Sequence, residues 1–569
     1  MPRKQHALIF LLLLGSAPVW AAQQIPEDAQ RELSSQTNVI ANQEKKVREK
    51  LSEKPEIEIQ KENEAPNNER GPVFFVKKIV LEGNTVVSTQ ELRRFIAAFE
   101  NREASFKQLR ALSEVITNVY RSRGYVTSRA YLPPQTVEDG VVTIKVVEGK
   151  VGKVIVDGNK FFNARSYQRR MKFDSNIFRY QDLESSLYYV NQLPDRQAKA
   201  FLIPGEELAS SDIILKVKDK NPLHMYYDFN NRGTKLTNRA RDGFHIDNNN
   251  LTGNDDVFNS SFTTAAEGAF NGGSVNYSVP VGDSPVSVSV AAGYVKTRLI
   301  GFLKSAKITG ESFSFEPGLT YTLVQKPEKE ISLYAGLEYV NSLSAIDNTT
   351  TSDDRMRSLD LGPRIILQDI NGRSFINADM HVGLPGFLGG LEANDPQASI
   401  ATSGGEFTFY TVNFVRIQRL PASMFAILKT GGQWSPDTLT SVEQYRAGGA
   451  YSVRGYPEAD AAGDYGWNAS AELNSPLGFL PKEWLVPFTK KSWLNAFHIV
   501  GFLDTAKTYL RDKTIETAVK DKFLMGVGYG FRLDLDDYLS AQLDIGYPIG
   551  DDSTDKNNSQ VHFAMRAGF

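Results

Sequence analysis

From Asn221 to Phe569 the chain alternates, and that alternation limits its architecture more than any other feature. Val286, Val288, Val290, Ala292 and Tyr294 fall on one face of an extended segment, with Ser287, Ser289, Ala291 and Gly293 on the other. Ile331, Leu333, Ala335, Leu337 and Tyr339 repeat the pattern against Ser332, Tyr334, Gly336 and Glu338. Met525, Val527, Tyr529, Phe531 and Leu533 oppose Gly526, Gly528, Gly530 and Arg532. Val561, Phe563, Met565, Ala567 and Phe569 oppose Gln560, His562, Ala564, Arg566 and Gly568. Successive side chains of a strand point to opposite faces, so each segment is apolar on one side and polar or small on the other. Repeats of this kind mark a transmembrane antiparallel β-barrel, apolar toward lipid and polar toward a lumen. A soluble sandwich would set the same alternation between water and a dry core, and periodicity alone leaves that alternative open. At ~20–25 residues for a strand with its loop, the region supplies about 14–18 strands; a number near 16 leaves a polar channel rather than a packed interior.

The start of the chain points to export. Arg3 and Lys4 precede the apolar run Ala7–Leu14, and Val19 and Ala21 stand where a signal-peptide cleavage site needs small residues. Residues 1–21 are therefore expected to be a secretory signal peptide. Residues 22–51 read as a polar helix whose few apolar positions (Leu33, Val39, Ile40, Val47, Leu51) bury little. Residues 52–72 are rich in Glu, Lys, Asn and Pro, the composition of a flexible linker.

From Val73 the texture becomes that of a folded domain. Phe75–Asn84 reads as a strand ending in a turn, and Ser88 with Glu91 as a capping box opening a helix over 90–99. A second helix over 106–123 stops at Gly124, and strands are expected at 125–132 and 141–147, giving β-α-α-β-β over 73–148. Val154-Ile155-Val156-Asp157-Gly158-Asn159 then echoes Ile79-Val80-Leu81-Glu82-Gly83-Asn84. Helices near 164–171 and 180–191 and strands at 198–203 and 212–218 make 149–221 a second copy, the alternative being one larger α+β domain.

Composition removes several function classes. The chain of 569 residues has a net charge of −3 and no cysteine, so it shows neither the basic excess of a nucleic-acid binder nor a Cys-based metal or redox site. The six histidines are scattered without metalloprotease spacing, and neither a phosphate-binding loop nor a nucleophile elbow is present. Gly526-x-Gly528-x-Gly530 lies inside an alternating strand and reads as a small-residue wall. Asp534, Asp536 and Asp537 read as a solvated turn rather than a cation site. No catalytic residue, metal or cofactor is expected.

One segment breaks the alternation. Glu443–Pro457 contains a Gly pair and then Ser452-Val453-Arg454-Gly455-Tyr456, a loop with a cation at its tip. In Phe502-Leu503-Asp504-Thr505-Ala506 an acid interrupts an apolar strand. An Arg in a partly desolvated lumen requires a carboxylate, and Asp504 is a candidate able to bind it bidentately. That both charges simply face water in a wide pore is the competing reading.

These residues carry a resemblance. Ser452-Val453-Arg454-Gly455-Tyr456 is similar to the Val-Arg-Gly-Tyr motif of the Omp85 superfamily, and Phe502-x-Asp504-x-Ala506 resembles its Phe-x-Asp-x-Gly partner, with Ala in place of Gly. Gly124-Tyr125-Val126-Thr127-Ser128-Arg129-Ala130-Tyr131-Leu132-Pro133-Pro134-Gln135, closing with Glu148-Gly149, resembles the first POTRA domain of TpsB transporters. Asn191-Gln192-Leu193-Pro194 and Pro204-Gly205 are similar to the second. The resemblance implies a two-partner secretion (type V) transporter of the haemolysin/haemagglutinin-exporting kind in a Gram-negative outer membrane. It implies POTRA domains at 73–148 and 149–221 in the periplasm and a 16-stranded barrel over 222–569. The helix at 22–51 would plug the pore, and a loop around 446–470 would fold inward and place Arg454 on Asp504. Gly124, Tyr125, Arg129, Tyr131, Pro133 and Gln135 become candidates for recognising the cargo by strand addition. The implied partner is an unfolded secreted TpsA-type exoprotein (an adhesin, haemolysin or contact-dependent toxin), carried by a monomeric transporter that is not an enzyme. An Omp85 insertase would share the loop motif but carries three or more POTRA domains, and a passive porin would need neither arm nor plug.

Overall fold

A computed structural model describes residues 56–59, 73–481, 483–487, 489, 491–512, 521–535 and 538–568. The expected signal peptide, the plug helix and most of the linker lie outside the described residues, as do Asp536 and Asp537. The described chain forms two units, an arm up to Pro222 and a barrel from Leu223.

The arm opens with β1 (Ile57–Ile59), a strand inside the segment expected to be linker. The first module then comprises β2 (Val73–Val76), β3 (Lys78–Glu82), α1 (Thr89–Ile96), β4 (Arg102–Ser105), α2 (Phe106–Ser122), β5 (Arg129–Tyr131) and β6 (Val141–Val147). Its main sheet runs β3-β6-β5, while β2 pairs with β4 apart from it. The single strand expected from Phe75 is thus two strands broken at Lys77, and the strand expected over 125–132 shrinks to β5 because Ser128 N–H turns back to the Tyr125 carbonyl. Leu92, Ile96, Leu109, Leu112, Ile116 and Tyr120 recur at helical spacing and bury one face of each helix on Ile79, Val142 and Ile144. Ser88 caps α1 by accepting from Glu91 N–H, but the Glu91 carboxylate pairs with Arg123 instead of completing the box. The full reciprocal box sits at Ser105 and Gln108, ahead of α2.

The second module comprises β7 (Lys150–Asp157), α3 (Ala164–Gln168), α4 (Tyr180–Gln192), β8 (Arg196–Pro204) and β9 (Ser210–Asp219). Its sheet order is β1-β8-β9-β7, with β1 added in parallel to β8. The echo between the modules has a physical basis. Gly83 and Gly158 adopt φ of +87° and +89°, and a Cβ would meet the Val146 carbonyl oxygen at 2.3 Å in one and that of Val217 at 2.6 Å in the other. The following asparagines both turn inward, Asn84 Nδ2 donating to the Val87 carbonyl at 3.0 Å and Asn159 Nδ2 to that of Phe162 at 2.8 Å. Only glycine accepts both the left-handed backbone and the close approach.

The barrel closes from sixteen antiparallel strands. They are β10 (Leu223–Asn230), β11 (Arg241–Asn248), β12 (Val257–Thr264), β13 (Phe270–Pro280), β14 (Val286–Arg298), β15 (Ile308–Lys326), β16 (Lys329–Ile346), β17 (Thr349–Asp369), β18 (Gly372–Gly383), β19 (Thr408–Arg419), β20 (Phe425–Trp434), β23 (Tyr465–Pro476), β24 (Phe497–Tyr509), β25 (Lys522–Asp534), β26 (Leu539–Pro548) and β27 (Gln560–Gly568). The short strands β21 (Tyr445–Ala447) and β22 (Ala461–Gly463) pair with each other inside the β20–β23 connection. Tyr294, Leu333, Val527, Tyr529 and Val561 project outward as the apolar rows require. Charges on the inner wall are paired across neighbouring strands, as with Arg364 and Asp379 at 2.6 Å and His381 and Asp360 at 2.8 Å. The inversion relative to a sandwich is therefore realised: apolar rows outside, paired charge inside. Closure between β10 and β27 rests on five residue pairs, Tyr226 to Asn230 against Gly568 to Ala564.

Candidate functional site in the barrel lumen

Residues 435–464 connect β20 to β23 and fold inward as a hairpin. The strand β23 begins at Tyr465, so the inward loop ends before the expected residue 470. Its tip is built from turn chemistry. Gly448, Gly449 and Gly455 adopt φ of +112°, +92° and +109°. The Ser452 hydroxyl closes the first bend by accepting from Gly448 N–H at 2.7 Å and donating to the Gly448 carbonyl at 3.1 Å. Glu458 accepts from Ala450 N–H at 2.9 Å. Val453 and Tyr456 bury against Tyr445, Ala447, Ala461, Ala506 and Leu524. Ala506, which stands where the motif has Gly, fills this cluster with its methyl group. The Tyr456 hydroxyl donates to the Asp551 carbonyl at 3.0 Å and accepts from Gly550 N–H at 3.1 Å, which ties the tip to the β26–β27 connection.

Arg454 is held from three sides. Its Nε donates to Asp504 Oδ2 at 2.8 Å and its Nη2 to Oδ1 at 3.0 Å, a bidentate fork, while its backbone N–H also reaches Oδ2 at 3.0 Å. Nη1 donates to Glu472 Oε2 at 2.6 Å and lies 3.7 Å from Asp544 Oδ2. The Phe502 ring lies under the guanidinium, 3.5 Å from its central carbon. Around this core Arg532 donates to Asp544 at 2.7 and 3.1 Å and to Glu472 at 3.2 Å. Ser470 donates to Asp504 at 2.7 Å. Asp504 is fully buried and Arg454 nearly so. Two guanidinium groups thus meet three carboxylates, and each charge has partners, the condition under which such a cluster is tolerated away from water.

The glycine row of β25 and β26 makes room for the tip. A Cβ on Gly526 would stand 1.9 Å from the Arg454 carbonyl oxygen, and one on Gly546 would stand 2.5 Å from Gly455 N. A Cβ on Gly528 would meet the Phe502 ring at 2.5 Å. Of the small-residue wall read from sequence, Gly526 seats the loop together with Gly546 of β26, whereas Gly528 faces Phe502 and Gly530 faces Asp544 and Arg532.

All five loop residues and the three wall residues named from sequence therefore gather at one place. Glu472, Arg532, Asp544 and Gly546 were not singled out, although each occupies an inward position of an alternating strand. Alternation reports that a side chain enters the lumen, but not which loop arrives there.

The arm candidates divide. Gly124 is buried at the junction of the modules, where its carbonyl accepts from Tyr180 N–H at 2.8 Å and a Cβ would collide with Gln181. Tyr125 packs edge-on against Tyr120 at 6.1 Å, and the Gln135 amide pairs with both backbone groups of Thr143 at 2.7 Å. Pro133 is half-buried, whereas Arg129 and Tyr131 are exposed on the edge strand β5. Glu148 works inside the module, accepting from Thr85 N–H at 2.6 Å, Val86 N–H at 2.9 Å and the Tyr120 hydroxyl at 2.8 Å. Burial and the adjacent Glu148 carboxylate push the Tyr120 phenol well above its ordinary pKa.

Residues 209–532 match the model of the haemolysin secretion/activation protein ShlB/FhaC/HecB family, and residues 74–149 match that of the ShlB-type POTRA domain. The heme/hemopexin transporter protein HuxB of Haemophilus influenzae is 23% identical over 500 residues, 86% of each chain. The outer membrane transporter CdiB of Escherichia coli O6:K15:H31 is 25% identical over 459 residues, 79% of this chain and 77% of that one. Among solved structures, CdiB from Escherichia coli superposes with a TM-score of 0.72 at 21% identity, covering 96% of this chain and 99% of that one.

Proposed function

Because the chain belongs to the haemolysin secretion/activation protein ShlB/FhaC/HecB family, we propose how its own residues divide the work of a two-partner secretion transporter in the outer membrane. The periplasmic modules capture an unfolded, strand-prone exoprotein, and the barrel passes it to the cell surface. The hairpin at 435–464 is the gate of that passage, and the observation that carries this reading is the three-sided hold on Arg454. A permanent plug would be sealed most stably by apolar packing, since buried ion pairs rarely out-stabilise hydrophobic residues of similar volume. A charged latch instead has two defined states: docked with each charge matched, or released into a lumen where water and cargo solvate the charges.

Capture rests on the sheet of the second module. Its β8 edge already holds a strand, β1, through Ala200 N–H donating to the Glu56 carbonyl at 3.2 Å. An edge that accepts the chain's own segment in parallel has its hydrogen-bonding groups aligned to accept a cargo strand. The cargo is a secreted TpsA-type exoprotein.

The test is export of the cognate exoprotein by cells carrying Arg454→Ala, with insertion followed by heat-modifiable mobility of the barrel. Export should fall at least about tenfold while insertion persists, as expected when a latch of several kcal/mol is lost. Undiminished export from a normally inserted barrel overturns the gating role.

A further inference from the structure

The connection from β23 to β24, residues 477–496, is out of proportion to its neighbours. On the barrel side where the arm joins, the other connections span 249–256, 281–285, 327–328, 370–371, 420–424 and 535–538. The described residues of the long one are tied to one another. Val486 N–H donates to the Lys491 carbonyl and Trp493 N–H to the Trp484 carbonyl, both at 2.8 Å, about a bridge between Leu485 and Ser492. Val486 is buried beneath this small hairpin, and α5 (Trp493–Ala496) leads into β24. On its other face Phe479, Trp484 and Leu485 are 78%, 59% and 56% exposed. A turn tied by these hydrogen bonds that holds three large apolar side chains off the protein needs an apolar phase opposite them.

The surface continuing on either side identifies that phase. Leu473 near the end of β23, and Ile499 and Leu503 on β24, belong to the outward rows that face lipid. At the far end of β23 stands Trp467, outward, with Trp434 and Tyr410 on the neighbouring strands, their rings 5.8 Å apart. From Trp467 to Pro476 the strand rises about 30 Å at ~3.3 Å per residue, which a tilt of ~40° foreshortens to about 23 Å, close to the ~25 Å apolar band of such barrels. The turn therefore begins where the band ends. The described tryptophans fall into two groups, Trp434 and Trp467 at the outer rim and Trp484 and Trp493 in this turn, the distribution of an aromatic belt at each interface. Lys491 of the turn is paired with Asp534 at 3.3 Å.

We propose that the described residues of the β23–β24 connection form an interfacial anchor, seating Phe479, Trp484 and Leu485 in the phospholipid leaflet on the periplasmic side of the outer membrane. The two strands that the anchor joins carry Glu472 and Asp504. It holds the wall that receives Arg454 against the bilayer while the loop itself moves.

Depth-dependent quenching tests this on the full mature chain. One variant keeps Trp484 as its reporter (Trp434→Phe, Trp467→Phe, Trp493→Phe), and a companion keeps Trp434 (Trp467→Phe, Trp484→Phe, Trp493→Phe). Both are inserted into vesicles of phosphatidylethanolamine and phosphatidylglycerol, insertion being verified by heat-modifiable mobility. With lipid brominated near the headgroup, Trp484 should lose about half of its emission, as Trp434 does, and lipid brominated deep in the acyl chains should quench it less. Trp484 that ignores both lipids while Trp434 is quenched overturns the proposal. So does Trp484 that is open to aqueous iodide and shielded only when an unfolded segment of the exoprotein is added, which would make the turn a cargo surface.

Discussion

Removing the Arg454 guanidinium should release the loop tip, and the size of that release follows from the contacts it makes. Arg454→Ala deletes two charge-assisted bonds to Asp504 and one to Glu472 and leaves Arg532 as the guanidinium among three carboxylates. Breaking a buried, hydrogen-bonded ion pair costs about 3–5 kcal/mol because the remaining charge is left without its partner. At about 1.4 kcal/mol per factor of ten, docking should weaken by roughly two to three and a half orders of magnitude. The lower end is expected, since water enters with the departing side chain, and Val453, Tyr456 and the β21–β22 pairing still hold the rest of the hairpin. The chain has no cysteine, so Val453→Cys supplies a clean probe at a fully buried position beside Arg454. When opening is fast relative to labelling, the rate of reaction with a membrane-impermeant maleimide reports the released fraction. That rate should rise about 100-fold on adding Arg454→Ala and by less on adding Arg454→Lys, which keeps the charge but loses the fork. An increase below about threefold in Arg454→Ala would show that packing, and not the ion cluster, sets docking.

Gly526→Ala leaves all charges in place but sets a methyl against the Arg454 carbonyl oxygen, where its Cβ would lie at 1.9 Å, so the same labelling probe should speed up; unchanged labelling would mean that the wall yields. Exchanging the charges, Arg454→Asp with Asp504→Arg, should fail to restore export even though the native pair is direct. The new acid would face Glu472 and Asp544, whose arrangement demands a cation at that point, and recovery of export would show that the surrounding charges are incidental. Glu58→Pro removes a backbone donor from β1 and should free the β8 edge. With about 1–3 kcal/mol at stake in a pair of ladder bonds, binding of an unfolded exoprotein fragment should tighten about tenfold, and equal or weaker binding would remove β1 as a competitor. Deleting residues 22–51 should raise single-channel conductance in planar bilayers if that segment plugs the pore, and an unchanged trace excludes it.

What could be read from the sequence followed the range of the interactions involved. Barrel alternation is local, since a period of two residues shows in any ten-residue window, and Val527 and Tyr529 face outward for the reason their spacing implies. The module echo was legible because Gly83 and Gly158 satisfy a local backbone demand that no other residue meets. Errors arose where a short element depends on a distant partner. The strand β1 is three residues in a charged stretch and exists because β8 lies beside it. Glu91 completes no capping box because Arg123, which follows α2, takes its carboxylate.

The latch lies between these cases. Arg454 and Asp504 were recognisable because each violates its own local pattern, a cation at a glycine-rich tip and an acid in an apolar strand. Glu472, Arg532 and Asp544 violate nothing: an inward charge on a lumen wall is ordinary, and only the fold shows that three strands bring theirs to the one place where the loop lands. The same reasoning explains the glycine row. In isolation Gly526, Gly528 and Gly546 weaken their strands; Gly526 and Gly546 are compensated by the backbone of Arg454 and Gly455, which lies where their side chains would be, and Gly528 by the Phe502 ring that lies under the Arg454 guanidinium. A latch made this way couples two requirements. The wall must stay bare for the tip to approach, and the tip must carry a cation to satisfy the acids the bare wall exposes. A change to either partner alone should therefore destabilise the docked state more than it disturbs the barrel, whose ladder of strand pairs runs on past the site in both directions.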